Sequence, residues 1–336
     1  MKIREPVVVT GADGLLGRHM VNRLLREGVR VRALLLPGQK PDPHWTDGYY
    51  KRDAEVFFGD IRKPETLIAF MQGAGTVCHN AAIVTDWAPE RDYFEVNVDG
   101  TRNLLDLAVK ENARFLVASS VTVYGDRLAK IPCDETTPHG KPQGNYSRTK
   151  QIQETLCMQY YRERGLPVTV IRPGNIIGTG SKPWIHDLLD QMSRKLPTII
   201  GSGNVSFALC HVENVVEVFF LAMQNEKAIG QIYNGWDDLE KITWKQYVTD
   251  LAKIAGYGKQ KTLPLAVARS TAFVCEGVWS ILKIRHRPPI TFQALNQVAS
   301  PMRLSNNKIR QDLGYKDVVD YSEALKEIER YLKGTR

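Results

Sequence analysis

The chain opens on an apolar run, Val7-Val8-Val9, and then places Leu15, Leu16, Met20, Val21, Leu24 and Leu25 at helical spacing. The first pattern is that of a buried strand and the second that of a helix with one apolar face, so the segment predicts strand, tight turn, helix. The theme recurs. Val29 to Leu36 (closed by Pro37-Gly38), Ala54 to Phe58, Thr76 to His79, Arg114 to Ala118 and Val168 to Ile171 read as strands. Glu90 to Glu111 and Tyr146 to Arg164 read as long helices. Strands alternating with helices predict a doubly wound α/β fold, with right-handed crossovers building a parallel sheet covered on both faces. Beyond Gly178 the alternation stops. A smaller lid is expected over 179–211 and 241–336, with the chain returning to the sheet over 212–240, around Gln231 to Asn234.

The length of 336 residues suits one large or two modest domains. Only Met1 to Pro6 precede the first strand, which leaves no room for a signal peptide, and no apolar run has spanning length. A cytoplasmic protein is expected. The five cysteines, Cys78, Cys133, Cys157, Cys210 and Cys275, show no metal-ligand spacing and read as reduced thiols. The net charge of +8 matters once it is located. From Lys253 to Arg310 the cations face a single acid, Glu276. That excess makes either a solvated basic surface or one that attracts anionic lipid or an anionic ligand. Without interleaved aromatics or a binding motif, nucleic acid is not the expected partner.

The turn after the first strand is Thr10-Gly11-Ala12-Asp13-Gly14-Leu15-Leu16-Gly17. Its three glycines suit a turn, a close backbone approach to a pyrophosphate, and tight packing of helix on strand. The free N–H groups of the helix start then face the phosphates. This makes residues 1–178 a dinucleotide-binding domain. At the end of the second strand an acid would favour a 2′-hydroxyl and a base a 2′-phosphate. The tip is Leu34-Leu35-Leu36, and the nearby cations Arg32, Arg18 and Lys40 tilt the expectation from NAD(H) towards NADP(H). Asp60, followed by Ile61, is placed to accept from the adenine amino group, and Asn80-Ala81-Ala82 offers small residues at a strand end.

Tyr146 and Lys150 stand four apart and so share a helix face. A phenol ionises near pH 10 and needs a neighbouring cation to exchange protons at neutral pH, a role Lys150 is spaced for. Ser120, following Ser119 at a strand end, can orient a carbonyl oxygen. Cys133 and His139 share a loop, but nothing marks the thiol as activated.

Taken together, Thr10 to Gly17, Asn80-Ala81-Ala82, Asn97 to Thr101, Ser119 to Gly125, Tyr146 to Lys150, Arg172-Pro173-Gly174-Asn175 and His211 to Val215 resemble an extended short-chain dehydrogenase/reductase of the NAD-dependent epimerase/dehydratase superfamily. The resemblance implies a Rossmann domain with a mostly C-terminal substrate-binding lid. It implies Tyr146 as general acid/base, Lys150 as its pKa-lowering and ribose-binding partner, Ser120 as donor to the substrate oxygen, and Asn97 as a structural or relay group. Pro173, Gly174 and Asn175 would border the nicotinamide, with Asn175 and Trp184 as substrate-side candidates, Trp184 being equally open to core packing. His211 is expected to be structural. A homodimer pairing the Glu90 to Glu111 and Tyr146 to Arg164 helices is also implied.

Members acting on nucleotide sugars usually hold a diphosphate with an arginine four residues before the His-Val pair, where this chain has Phe207. The C-terminal part resembles instead the 3β-hydroxysteroid dehydrogenase and dihydroflavonol reductase branch. The expected reaction is therefore alcohol–ketone interconversion on a hydrophobic molecule. A nucleotide-sugar epimerase with tightly bound NAD and a non-catalytic dinucleotide scaffold are the alternatives. Leu263 to Ile284, apolar with basic flanks, forms a greasy lid, rests on a membrane surface, or packs as an ordinary helix.

Overall fold

A computed structural model describes residues 2–46, 48–50, 52–237 and 242–334. Seven parallel strands, Val7–Thr10 (β1), Val31–Leu35 (β2), Glu55–Phe58 (β3), Thr76–His79 (β4), Arg114–Ala118 (β5), Val168–Pro173 (β6) and Gln231–Gly235 (β7), form one sheet. Their order is β7-β6-β5-β4-β1-β2-β3. Val7 pairs with Val31 on one side and Thr76 on the other, so the winding reverses between β1 and β4. This is a doubly wound Rossmann sheet, and its ligand crevice lies outside the carboxyl ends of β1 and β4.

Strands β1, β4, β5 and β6 are buried along their whole length, as their mostly apolar runs require when helices cover both faces. Leu15–Arg26 (α1) buries Leu16, Met20, Val21, Leu24 and Leu25 against one face. Gly100–Lys110 (α2) and Asn145–Arg164 (α3) cover the other with Leu104, Leu105, Ala108, Leu156 and Cys157. Val212–Gln224 (α4) lies beside α1 and leads to edge strand β7. Of the expected return segment 212–240, residues 238–240 lie outside the described residues, as do 1, 47, 51, 241, 335 and 336.

A second layer of structure follows β6. Asn175–Ile177 pairs with Leu209–His211, and Ile199–Ile200 with Thr262–Leu263. Trp244–Ala255 (α5) and Tyr321–Gly334, with Ile185, Leu188, Phe207 and Leu209, bury a separate apolar core. Leu265–Ile281 (α6) and Phe292–Ala299 (α7) sit on a much smaller one, Ile200, Ala268, Ala272 and Leu295. Among the described residues no helix is long and apolar enough to cross a membrane.

One predicted element differs in kind. The Glu90 to Glu111 helix is continuous but widens to a π-helix over Phe94–Asp99. Periodicity alone does not reveal that extra residue. It turns the Asn97 amide inwards, where Oδ1 accepts from Ile83 N at 2.8 Å and Nδ2 donates to Thr149 Oγ1 at 3.1 Å.

Candidate active site

The glycine loop closes on itself, with Gly14 N donating to Gly11 O at 3.1 Å. Gly11 has φ +62°, and a Cβ there would stand 2.8 Å from Ala81 N, so only glycine lets the end of β1 lie against the end of β4. A Cβ on Gly17 would meet Gly11 C at 2.7 Å and Ala12 Cα at 2.8 Å, so α1 rests directly on the turn. No side chain caps the N-terminus of α1 at Gly14. Beside it, Nδ2 and Oδ1 of Asn80 are buried without a partner among the described residues. Bare backbone donors at a helix start and an orphaned amide on the floor of the crevice fit the pyrophosphate and polar edge of a dinucleotide.

Across the crevice, β5 ends at Ser119-Ser120, and α3 presents Tyr146 and Lys150 on one face. Ser120 and Tyr146 are both buried, and the Ser120 hydroxyl accepts from Thr122 N at 3.2 Å. Burial pushes the Tyr146 phenol up to about 12, with Ser120 pulling the other way. The Lys150 ammonium donates to Ala118 O at 2.7 Å and Gln153 Oε1 at 2.9 Å, and lies 5.9 Å from the centre of the Tyr146 ring. Burial drops it to about 8, opposed by Cys157 and Glu154. Two of its three donors are thus taken from below, which leaves the third for another partner.

Those two acceptors belong to a buried network that sequence reasoning missed. Gln153 Nε2 donates to Thr101 Oγ1 at 2.7 Å, and His79 bridges Thr101 Oγ1 at 2.9 Å and Thr10 Oγ1 at 2.8 Å. A polar chain thereby runs under the site from the glycine loop to Lys150. Burial, with the charge of Lys150, drives His79 down to about 3, so it stays neutral. One turn further along α3, the Glu154 carboxylate accepts from Arg172 at 2.8 and 2.7 Å, from Ser119 Oγ at 2.5 Å and sits 2.9 Å from His139 Nε2. Burial opposes its ionisation, but the Arg172 charge and the hydrogen bonds outweigh it and hold the carboxyl at about 2. The Arg172 fork thus ties α3 to the end of β6. Gln153 and Glu154 stand three and four residues after Lys150, and that spacing was the available signal.

Several expected contacts are redirected. Arg32 does not reach the end of β2: its guanidinium donates to Phe70 O at 3.1 Å and Gln72 O at 2.6 Å and pairs with Glu55, because it sits near the amino end of the strand. The group at the carboxyl end is Asp13, whose carboxylate accepts from Gln39 Nε2 at 2.5 Å while Gln39 Oε1 accepts from Leu36 N at 2.8 Å. The Ser119 hydroxyl points into the Glu154 pocket rather than the crevice. Asp60 is gripped by Arg62, which lowers its pKa, and the side chain of Ile61 packs into the core under Gly100. Trp184 belongs to an aromatic cluster with Phe207 and Trp244, at ring separations of 5.9 and 6.0 Å. Asn175 donates its amide to Phe207 O, and Pro173-Gly174 ends β6 against Gly235 and Ala208. His211 caps α4 and pairs with Glu327 at 3.3 Å. Cys133 is buried and its thiol raised to about 11, so it is not activated.

At the start of α3 opens a cleft of about 570 Å³ lined by Asp86, Trp87, Tyr93, Asn145, Glu276 and Phe292, among others; Asn145, the residue before Tyr146, is its link to the candidate site. A clasp closes one side of it. Arg287 grips Asp86 through two contacts of 2.5 and 2.6 Å, Thr291 Oγ1 donates to Asp86 at 2.5 Å, and Trp87 Nε1 donates to Ile284 O at 3.1 Å. Among the described residues no cluster of side chains could hold a metal ion.

The sequence profile described as "NAD dependent epimerase/dehydratase family" matches residues 7–234. A 4-hydroxy-2-methyl-3-oxo-4-farnesyl-3,4-dihydroquinoline-1-oxide ketoreductase from Stigmatella aurantiaca is 28% identical over 94% of this chain and 93% of its own length. A 3beta-hydroxysteroid-dehydrogenase/decarboxylase, isoform 1, from Arabidopsis thaliana is 29% identical over 95% of this chain and 77% of its own. Among solved structures, UDP-glucose 4-epimerase from Thermotoga maritima shares the fold at TM-score 0.78 and 22% identity, covering 98% of this chain and 99% of the other.

Proposed function

The chain belongs to the NAD dependent epimerase/dehydratase family, and on that premise we propose that it is an oxidoreductase interconverting a secondary alcohol and a ketone on a hydrophobic small molecule. The observation that carries this reading is the placing of Ser120 at the end of β5 with Tyr146 and Lys150 on one face of α3, the helix whose first residue, Asn145, lines a cleft of about 570 Å³. A cavity of that size suits one small organic molecule.

Ser120 donates to the substrate oxygen and holds it against the phenol. Tyr146 gives the proton to that oxygen during reduction and takes it back during oxidation. Lys150 spends two donors on Ala118 and Gln153, and its third is the one we assign to the ribose of the cofactor. Bound in the cradle of Gly11, Gly14, Gly17 and Asn80, a nicotinamide dinucleotide supplies or accepts the hydride. Asn97 keeps α3 in register by tying Thr149 to the Ile83 backbone.

The apolar substrate class is supported by Phe207. It stands where sugar-nucleotide enzymes usually carry a phosphate-gripping arginine, and here it is fully buried among Trp184, Trp244 and Tyr247. A guanidinium's bidentate hold on phosphate has no equivalent in that cluster. The named relatives acting on a farnesylated quinoline and on 3beta-hydroxysteroids point the same way.

The reading extends to the form of the cofactor. With Arg32 facing elsewhere, the charged group at the carboxyl end of β2 is the Asp13 carboxylate, held there by Gln39. An acid suits a free 2′-hydroxyl and repels a 2′-phosphate, which favours NAD(H) over NADP(H). Asp13→Asn is expected to shift the kcat/KM ratio towards NADPH by about tenfold, about 1.4 kcal/mol of discrimination. An unchanged ratio refutes this role.

The central test follows nicotinamide absorbance with hydrophobic ketones and secondary alcohols. Stoichiometric change is expected, with Tyr146→Phe lowering kcat by about 10²–10⁴. Turnover of a nucleotide sugar with no net absorbance change would show an epimerase instead. An unaltered Tyr146→Phe enzyme would leave only a dinucleotide-binding scaffold.

A further inference from the structure

Helix α6 carries its apolar side chains on the wrong side for a buried helix. Its inner stripe at four-residue spacing is small or polar: Ala268 and Ala272 pack on Leu295, while Glu276 and Ser280 line the cleft. Its outer face holds the large groups, with Phe273 72%, Val274 59%, Ile281 80% and, just past the end, Leu282 64% exposed. Glu276 does not break that face, because its carboxylate accepts from Phe292 N at 2.6 Å.

The rim of the face is cationic. Between 251 and 291 the chain has seven lysines and arginines against one acid. Arg287 is spent on Asp86, but Lys259, Lys261, Arg269, Lys283 and Arg285 are exposed and join no ion pair among the described residues. An apolar helix face with unneutralised cations on the helix and in both flanking segments is complementary to an interface that is greasy beneath and negative on top. Two copies meeting through the same face would juxtapose like charges across an isologous contact, which disfavours a second copy as the occupant.

We propose that the outer face of α6 docks on a bilayer surface bearing anionic lipid, so that the helix stands between the membrane and the substrate cleft. Phe273, Val274 and Ile281 enter the acyl boundary, and Lys283 and Arg285 at the end of the helix lie at headgroup level. The opposite face of the same helix then lets an apolar substrate pass from lipid to cleft without crossing water. Delivery rests on the substrate reading above; docking does not.

The test is co-sedimentation of the full chain with phosphatidylcholine vesicles, with and without phosphatidylglycerol, at low and high salt. Binding to the phosphatidylglycerol vesicles is expected, weakened by salt and lowered about tenfold or more by Phe273→Ser with Ile281→Ser. Both positions are exposed, so thermal unfolding and turnover of a short water-soluble ketone stay unchanged. Lys283→Gln with Arg285→Gln is expected to weaken binding to anionic vesicles only. No binding to anionic vesicles overturns the proposal. So does equal binding by the serine double variant, or a concentration-dependent dimer in sedimentation velocity that this variant abolishes. Vesicle binding without turnover of hydrophobic ketones would leave docking standing and remove the substrate reading.

Discussion

Replacing Glu154 by glutamine is expected to destabilise the protein by about 3–5 kcal/mol, because it leaves the Arg172 guanidinium buried without its counter-charge. Two routes lead to that size. Glu154 and Arg172 are almost wholly inaccessible, with side chains 2% and 3% exposed, and two hydrogen bonds of 2.8 and 2.7 Å join them. Independently, a carboxyl lowered from an ordinary 4.5 to about 2 corresponds to roughly 3 kcal/mol of preference for the ionised form in the fold. The sign with pH follows. The folded value is the depressed one, so the contribution is complete above pH 4.5 and is lost as pH falls towards 2. Urea unfolding followed by tryptophan fluorescence, repeated as the pH is lowered, is the assay. The wild-type advantage over Glu154→Gln is expected to be full at neutral pH and to narrow on acidification below 4.5. The pair Glu154→Leu with Arg172→Met should recover most of the loss, since an apolar replacement removes both desolvation penalties. A Glu154→Gln deficit under about 1 kcal/mol, or an advantage that does not change with acid, refutes the account.

Gly17→Ala places a methyl against the Gly11 backbone, which should cost about 1–3 kcal/mol of stability and weaken NAD binding at least about tenfold; wild-type affinity by calorimetric titration would contradict it. Asn97→Ala strips the Ile83 backbone and Thr149 of their partner and is expected to cost about 1–3 kcal/mol. Because α3 then loses its tie, kcat should fall more than KM rises, and an unaltered kcat in steady-state assays would count against a positioning role.

The elements nearest the cofactor were legible because their residues obey local rules. A buried parallel strand must be apolar along its length, and a pyrophosphate turn must be glycine where backbone meets backbone, as Gly11 meets Ala81. The seven-strand alternation follows from such rules. What was hidden depends on direction. Helix α3 buries Ser147, Thr149, Lys150, Gln153 and Glu154, so its polar face is the inner one, and a polar face ordinarily reads as solvent-facing. Arg32 has the right charge for a 2′-phosphate but the wrong end of the strand. Trp184 packs with Phe207 and Trp244, and composition cannot separate a pocket wall from a core at such a position. The π-helical turn at Asn97 leaves no mark on periodicity, because over Phe94–Asp99 it inserts only one extra residue.

The reacting groups and the substrate wall are anchored to different foundations. Tyr146 and Lys150 are fastened from beneath to β5, β6 and the glycine loop, whereas the opposite wall stands on the small core of Ile200, Ala268, Ala272 and Leu295 and on the clasp at Asp86. Divergence of that wall therefore leaves the proton-handling apparatus undisturbed, and new substrate ranges are open to this scaffold through exchange of the stretch from Pro264 to Ala299 alone.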